Sequence, residues 1–196
     1  LPKGTHISID TMKAEVMRQA IAAGATMVND VSALTADEES MNVVAKSGVD
    51  VCLMHMKGTP DTMQKNPEYQ DVVGEVVSFF EQRIEACLSV GIQKSSIILD
   101  PGIGFGKRLE DNLQLIVNIQ RLKDRFGLPV LLGTSRKSFL GLMTDSGVED
   151  REVETAVSSA IGIFCGADMI RVHDCNIQYK TSLMASKLMD SKALQP

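Results

Sequence analysis

Tryptophan is absent from the 196 residues and tyrosine occurs twice. Ultraviolet fluorescence is therefore expected to be weak. Cysteine is sparse: Cys52, Cys87, Cys165 and Cys175 stand far apart, with no Cys-x-x-Cys pair. That spacing excludes a dense disulfide framework and a zinc site of paired ligands, and fits free thiols in a reducing cytoplasm. A basic surplus is also lacking. Lys and Arg number 20 against 25 Asp and Glu, a net charge of −5, which disfavours a nucleic-acid binder. No apolar run reaches the roughly 18 residues of a membrane-spanning helix. The opening residues, Leu1-Pro2-Lys3-Gly4, carry neither an initiating Met nor the apolar core of a signal peptide, so a fragment or a processed chain is expected.

What is present is a repeating phrase. Short apolar runs at 6–10, 26–29, 51–55, 97–100, 130–133 and 169–173 alternate with amphipathic stretches at 13–23, 40–46, 71–90, 109–126, 152–165 and 176–189. The runs are apolar on both faces, as strands of a buried parallel sheet are. Gly24, Gly48, Gly91, Gly127 and Gly166 each follow a helical stretch, where a left-handed stop is expected. The chain is thus α/β, built from right-handed βαβ units, with no linker that would divide it. Six units of about 33 residues make three quarters of an eight-unit barrel of about 260. Length alone prefers an open doubly wound sheet; the residues at the strand ends argue for the barrel. The one long irregular piece, 57–67, follows the third strand and is expected to be functional or disordered.

Every strand ends in polar residues: Asp10-Thr11, Asn29-Asp30, His55, Asp100, Thr134-Ser135-Arg136-Lys137-Ser138 and Arg171-Val172-His173-Asp174. One such residue is usually a helix cap, and Thr11 is read as one. Six in succession point to a site at the carboxyl edge of the sheet. Arg171 and His173, two apart on a strand, share a face. With Lys137 they suit an anion such as phosphate. The stretch Gly102-Ile103-Gly104-Phe105-Gly106-Lys107 is no Walker A loop, because Pro101 and Arg108 stand where Gly and Ser or Thr are needed. It is no dinucleotide loop either, because Lys107 replaces the last glycine. Its glycines are read as letting the backbone approach a flat ligand. His6, His55 and His173 lack metal-ligand spacing; His6 is read as strand entry and His55 as strand-end packing. No Gly-x-Ser-x-Gly elbow occurs, and Ser135 has no identifiable base.

Six segments together resemble dihydropteroate synthases, members of the pterin-binding family: Ile7-Ser8-Ile9-Asp10-Thr11; Val28-Asn29-Asp30-Val31-Ser32-Ala33; Leu53-Met54-His55-Met56-Lys57-Gly58-Thr59-Pro60; Leu99-Asp100-Pro101-Gly102-Ile103-Gly104-Phe105-Gly106-Lys107; Gly133-Thr134-Ser135-Arg136-Lys137-Ser138-Phe139-Leu140-Gly141; and Ile170-Arg171-Val172-His173-Asp174. They run in family order along nearly the whole chain. The resemblance implies a (β/α)8 barrel and one pterin-binding domain over 1–196, N-terminally incomplete. It implies condensation of 6-hydroxymethyl-7,8-dihydropterin diphosphate with 4-aminobenzoate, giving 7,8-dihydropteroate and pyrophosphate.

By motif position, the resemblance assigns Asp10, Asn29, Asp100 and Lys137 to the pterin and Arg171 and His173 to the diphosphate. Phe105 and Ser135, with the stem of Lys137, are assigned to the aminobenzoate pocket. No general acid or base is assigned. The family further implies magnesium, a homodimer and the cytoplasm. It begins with two more βα units, carrying the metal-binding Asn and two mobile loops, which are expected to be missing here, so no metal ligand is expected in this chain. The alternatives are a folate-dependent methyltransferase on the same barrel, which has no diphosphate to hold, and a catalytically silent pterin-binding fragment.

Overall fold

A computed structural model describes residues 2, 4–59, 61–63 and 65–193. Six short parallel strands alternate with helices: β1 (Ser8–Asp10), α1 (Ala14–Ala22), β2 (Met27–Asp30), α2 (Ser40–Ser47), β3 (Asp50–Met54), α3 (Val72–Ser89), β4 (Ile97–Asp100), α4 (Leu109–Val117), α5 (Ile119–Phe126), β5 (Leu131–Leu132), α6 (Ser138–Thr144), α7 (Glu152–Phe164), β6 (Met169–Ile170) and α8 (Cys175–Ala193). β1 to β4 pair in chain order, β5 pairs with β6, and a single bridge from Leu99 to Val130 joins the two sets. Among the described residues the barrel is not closed; the sheet ends at β1 and β6, both of them largely exposed. No helix among those residues is long and apolar enough to cross a membrane.

The period-two alternation of the strands builds two apolar layers. Val28, Val51, Leu53, Ile97, Leu99, Val130 and Leu132 point outward and join the buried faces of the helices, centred on Phe80 and Met17. Between them, Cys52, Ile98 and Leu131, with Met27 against them, form a smaller inner cluster. Two residues further along β2 and β4 come Asn29 and Asp100, so the inner face turns from apolar to polar at the carboxyl ends of these strands. Register places Asp10 opposite Asn29, and Met54 opposite Asp100.

Several expectations need correction. The stretch 109–126 is two helices, because Asn118 leaves helical geometry and its side-chain amide donates to the Gln114 carbonyl at 2.9 Å. α6 was not anticipated: it is under two turns long and buries only Phe139 and Leu140. Thr11 does not cap the first orphan N–H of α1. Its hydroxyl accepts from Lys13, while Asp37, 23 residues on, accepts from Ala14 at 2.9 Å. Strands five and six are shorter than read, so Arg171 and His173 lie just past β6 rather than on it. Pro60 of the third family segment, and Gln64 in the irregular piece, lie outside the described residues.

Candidate active site at the carboxyl ends of the strands

Asp100 closes β4 and is 3% exposed. Its Oδ1 accepts the Gly102 N–H at 2.8 Å, fixing the carboxylate against its own loop. Its Oδ2 accepts from Arg171 at 3.2 Å. On β2, Asn29 is equally buried; its amide donates to Asp10 Oδ2 at 3.0 Å, and its Oδ1 accepts from Arg171 at 2.5 Å. Asp10 itself is exposed. Four residues separated by up to 161 positions in sequence, Asp10, Asn29, Asp100 and Arg171, thus form one chain of hydrogen bonds across the mouth of the sheet.

Lys137 follows β5 and turns back over the glycine-rich loop. Its ammonium donates to the Ile103 carbonyl and lies 4.3 Å from the centre of the Phe105 ring. Burial, and secondarily Arg171, lower its pKa to about 8, against the opposing pull of Asp100. Ser135 and His173 pair at 2.8 Å, Oγ to Nδ1, and the His173 backbone N–H also donates to Ser135 Oγ at 3.3 Å. The reading that Ser135 lacks a partner base is therefore overturned. Folding brings the base from 38 residues away, a separation that no local motif reveals. Arg171 and His173 engage different partners, Arg171 the acid and amide, His173 the serine.

The glycine loop is held differently from the reading. A Cβ on Gly102 would sit 1.9 Å from the His55 carbonyl oxygen, and one on Gly106 would sit 2.2 Å from that of Lys57. Both glycines have positive φ. They are required for close approach to the chain itself. The residue that clamps the loop is Lys107. Its ammonium is buried and lies 3.0 Å from His55 Nδ1, 2.9 Å from the Gly102 carbonyl, 3.0 Å from that of Phe105 and 3.2 Å from that of His55. The only signal in the sequence was a lysine closing a glycine run. His55 does pack as read, edge-on to Phe79 at 4.9 Å, but it is also an anchor for Lys107. Burial, then Lys107, hold the imidazole neutral down to about pH 3. Asn112 completes the loop by accepting from Gly104 N–H at 2.7 Å. His6 is exposed ahead of β1.

The resulting site offers buried acceptors at its floor and cations at its rim. The floor suits a neutral or cationic ring with adjacent N–H donors; the rim suits an anion.

The pterin binding enzyme family model matches residues 2–173. The dihydropteroate synthase of Haemophilus influenzae is 42% identical over 168 residues, 86% of this chain and 60% of the relative. That of Synechocystis is 42% identical over 183 residues, 93% and 63% respectively. Among solved structures, Yersinia pestis dihydropteroate synthase with a sulfonamide drug complex aligns at TM-score 0.93 and 36% identity, covering 97% of this chain and 69% of that one. The Xanthomonas albilineans enzyme in complex with 7,8-dihydropteroate aligns at TM-score 0.84 and 38% identity, covering 97% and 68%. The chain spans about 60% of the length of the curated relatives it matches. With the polar ends of six parallel strands placed as described, and a family match over 2–173, the chain belongs to the pterin-binding enzymes.

Proposed function

We propose that the chain carries the pterin and diphosphate sites of a dihydropteroate synthase, a transferase of folate biosynthesis. The reaction joins 6-hydroxymethyl-7,8-dihydropterin diphosphate to 4-aminobenzoate and releases pyrophosphate. The observation that carries this reading is the meeting of Asp100 and Asn29, both buried, with Arg171 and Lys137 at one end of the sheet. A pterin's amino-pyrimidinone edge presents two N–H groups side by side. The Asp100 carboxylate accepts from them, and the Asn29–Asp10 pair lines the same ring. Lys137 lies against the Phe105 ring, and with Ser135 these form the aminobenzoate wall. Arg171 and His173 take the diphosphate.

The chemistry needs a departing anion more than a general base. As pyrophosphate leaves, positive charge develops on the pterin methylene, which the arylamine nitrogen then attacks. Asp10 and Asp100 favour that cation, while Arg171 and His173 favour the leaving anion. The family resemblance adds magnesium at the diphosphate. Among the described residues no three His, Cys, Asp or Glu side chains converge to hold a metal, and the steps above rest on protein groups alone. The gap between β1 and β6 is where two further βα units of an eight-stranded barrel would sit. A second copy of the chain is the partner proposed for the exposed outer stripe of α7, Val153, Val157 and Ile161, which borders an apolar cavity of 390 Å³. The cytoplasm is the proposed compartment.

The test is incubation of the chain, extended by two N-terminal βα units, with both substrates and chromatography for dihydropteroate. Product formation supports the synthase. Pterin binding without product marks a binding fragment. Equal affinity for the diphosphate and the bare hydroxymethyl pterin would instead favour a methyltransferase-type barrel, which has no diphosphate to hold.

A further inference from the structure

The Arg171 guanidinium lies inside the ring of acceptors that it was expected to flank. One of its terminal nitrogens donates to Asn29 Oδ1 at 2.5 Å and the other to Asp100 Oδ2 at 3.2 Å. Both partners make a second bond that fixes their orientation. Asp100 Oδ1 holds the Gly102 N–H, and the Asn29 amide nitrogen holds Asp10. Asp100 Oδ2 and Asn29 Oδ1 are thus engaged by one planar fork that enters from just past β6.

A guanidinium and the amino-pyrimidinone edge of a pterin share one pattern: a carbon flanked by nitrogens that present parallel N–H donors. Resting on the pterin reading above, we propose that Arg171 is an internal stand-in for that edge, and thereby a specificity-determining residue. Ligand entry is then an exchange. The incoming ring displaces the guanidinium from Asp100 and Asn29, sets its paired N–H donors on the Asp100 carboxylate with Asn29 alongside, and the released cation becomes available to the anionic substituent of the same ligand.

Two properties follow from the exchange. A flat ring without adjacent N–H donors would evict Arg171 and leave a buried carboxylate unpaired, so the floor rejects it. A pterin without an anion must displace Arg171 and offers the freed cation nothing in return, so its affinity is reduced by the fraction of molecules in the closed arrangement. The diphosphate offsets that loss by engaging the same side chain. One residue thus links recognition of the ring to recognition of the leaving group.

The experiment is calorimetry on the 196-residue chain with 6-hydroxymethylpterin and with its diphosphate, using wild type, R171A, R171K and D100N. The stand-in predicts opposite signs. R171A should bind the bare ring about fivefold or more tightly than wild type, because the internal competitor is gone. It should bind the diphosphate about tenfold or more weakly, because the fork is gone. R171K, which keeps the charge without the fork, should shift both ligands in the same directions by less; it serves if R171A fails to fold. Free guanidinium ion, at a low non-denaturing concentration, should compete with the bare ring on R171A and not on wild type. Loss of ring binding in D100N together with unchanged or weaker ring binding in R171A would leave the pterin site standing and overturn the stand-in. Undiminished ring binding in D100N would overturn both.

Discussion

The Lys107 ammonium stands 3.0 Å from the His55 imidazole nitrogen, below the glycine loop and out of contact with solvent. Three carbonyl oxygens complete its surroundings, so one side chain ties the start of the loop, its aromatic residue and the end of β3 together. Since Lys137 in turn bonds the Ile103 carbonyl of that loop, the clamp also sets where the candidate pterin lysine sits.

Replacing Lys107 with Met keeps the stem and removes the donor. Each buried acceptor left unpaired costs roughly 1–3 kcal/mol, not additively, so a loss of that order or somewhat more is expected. Urea unfolding of the two proteins measures it. A midpoint within error of wild type would mean that the loop holds itself.

Acid should undo the same cluster. His55 is held neutral to about pH 3 by burial and by Lys107. The unfolded imidazole takes up its proton near pH 6.5, well before the folded one does. Stability contributed by neutral His55 is thus present above about 6.5 and is lost progressively as pH falls toward 3. H55N keeps an acceptor for Lys107 and cannot titrate. Its denaturation midpoint should fall less steeply than wild type's across that window.

Asp100→Asn replaces an acceptor with an amide that cannot satisfy two ligand donors and the Gly102 N–H together. A loss of about 1–3 kcal/mol in pterin affinity is expected by calorimetry. Unchanged affinity would remove Asp100 from the site.

Lys137 gives pH effects of opposite sign on binding and on folding. Its ammonium loses its proton near pH 8, so affinity for the diphosphate should fall as pH rises through 8. Its folded pKa lies below the unfolded value, so between about 8 and 10.4 the unfolded chain binds more protons and this group's contribution to stability rises with pH. Lys137→Gln should flatten the binding profile. A wild-type profile that is already flat there would place the ammonium away from the anion.

The open edges at β1 and β6 leave backbone N–H and C=O groups unpaired beside exposed strands. Such edges recruit other edges. The 196-residue chain is expected to self-associate in sedimentation and to form no dihydropteroate; adding two N-terminal βα units should correct both. A monodisperse monomer turning over at about 1 per second or more would show that neither unit is needed.

The linear sequence was enough for the alternation of strand and helix, the parallel sense of the strands and the polar residue at each strand end. These are local properties: apolar periodicity, helix-stopping glycines and residue type just after an apolar run. The resemblance of six segments to pterin-binding proteins was legible for the same reason, since each segment is contiguous. Partnership was not legible. That Ser135 meets His173, that Asp37 caps α1, that Lys107 sits beside His55 and that Arg171 fills the acceptors of Asn29 and Asp100 are contacts across 23 to 142 residues. No spacing rule encodes them. They are set by sheet register, by which strand lies beside which, and by the cost of burying a charge or an amide without a partner. Burial forces each polar side chain to find the nearest complementary group, and only the folded chain decides which group is nearest.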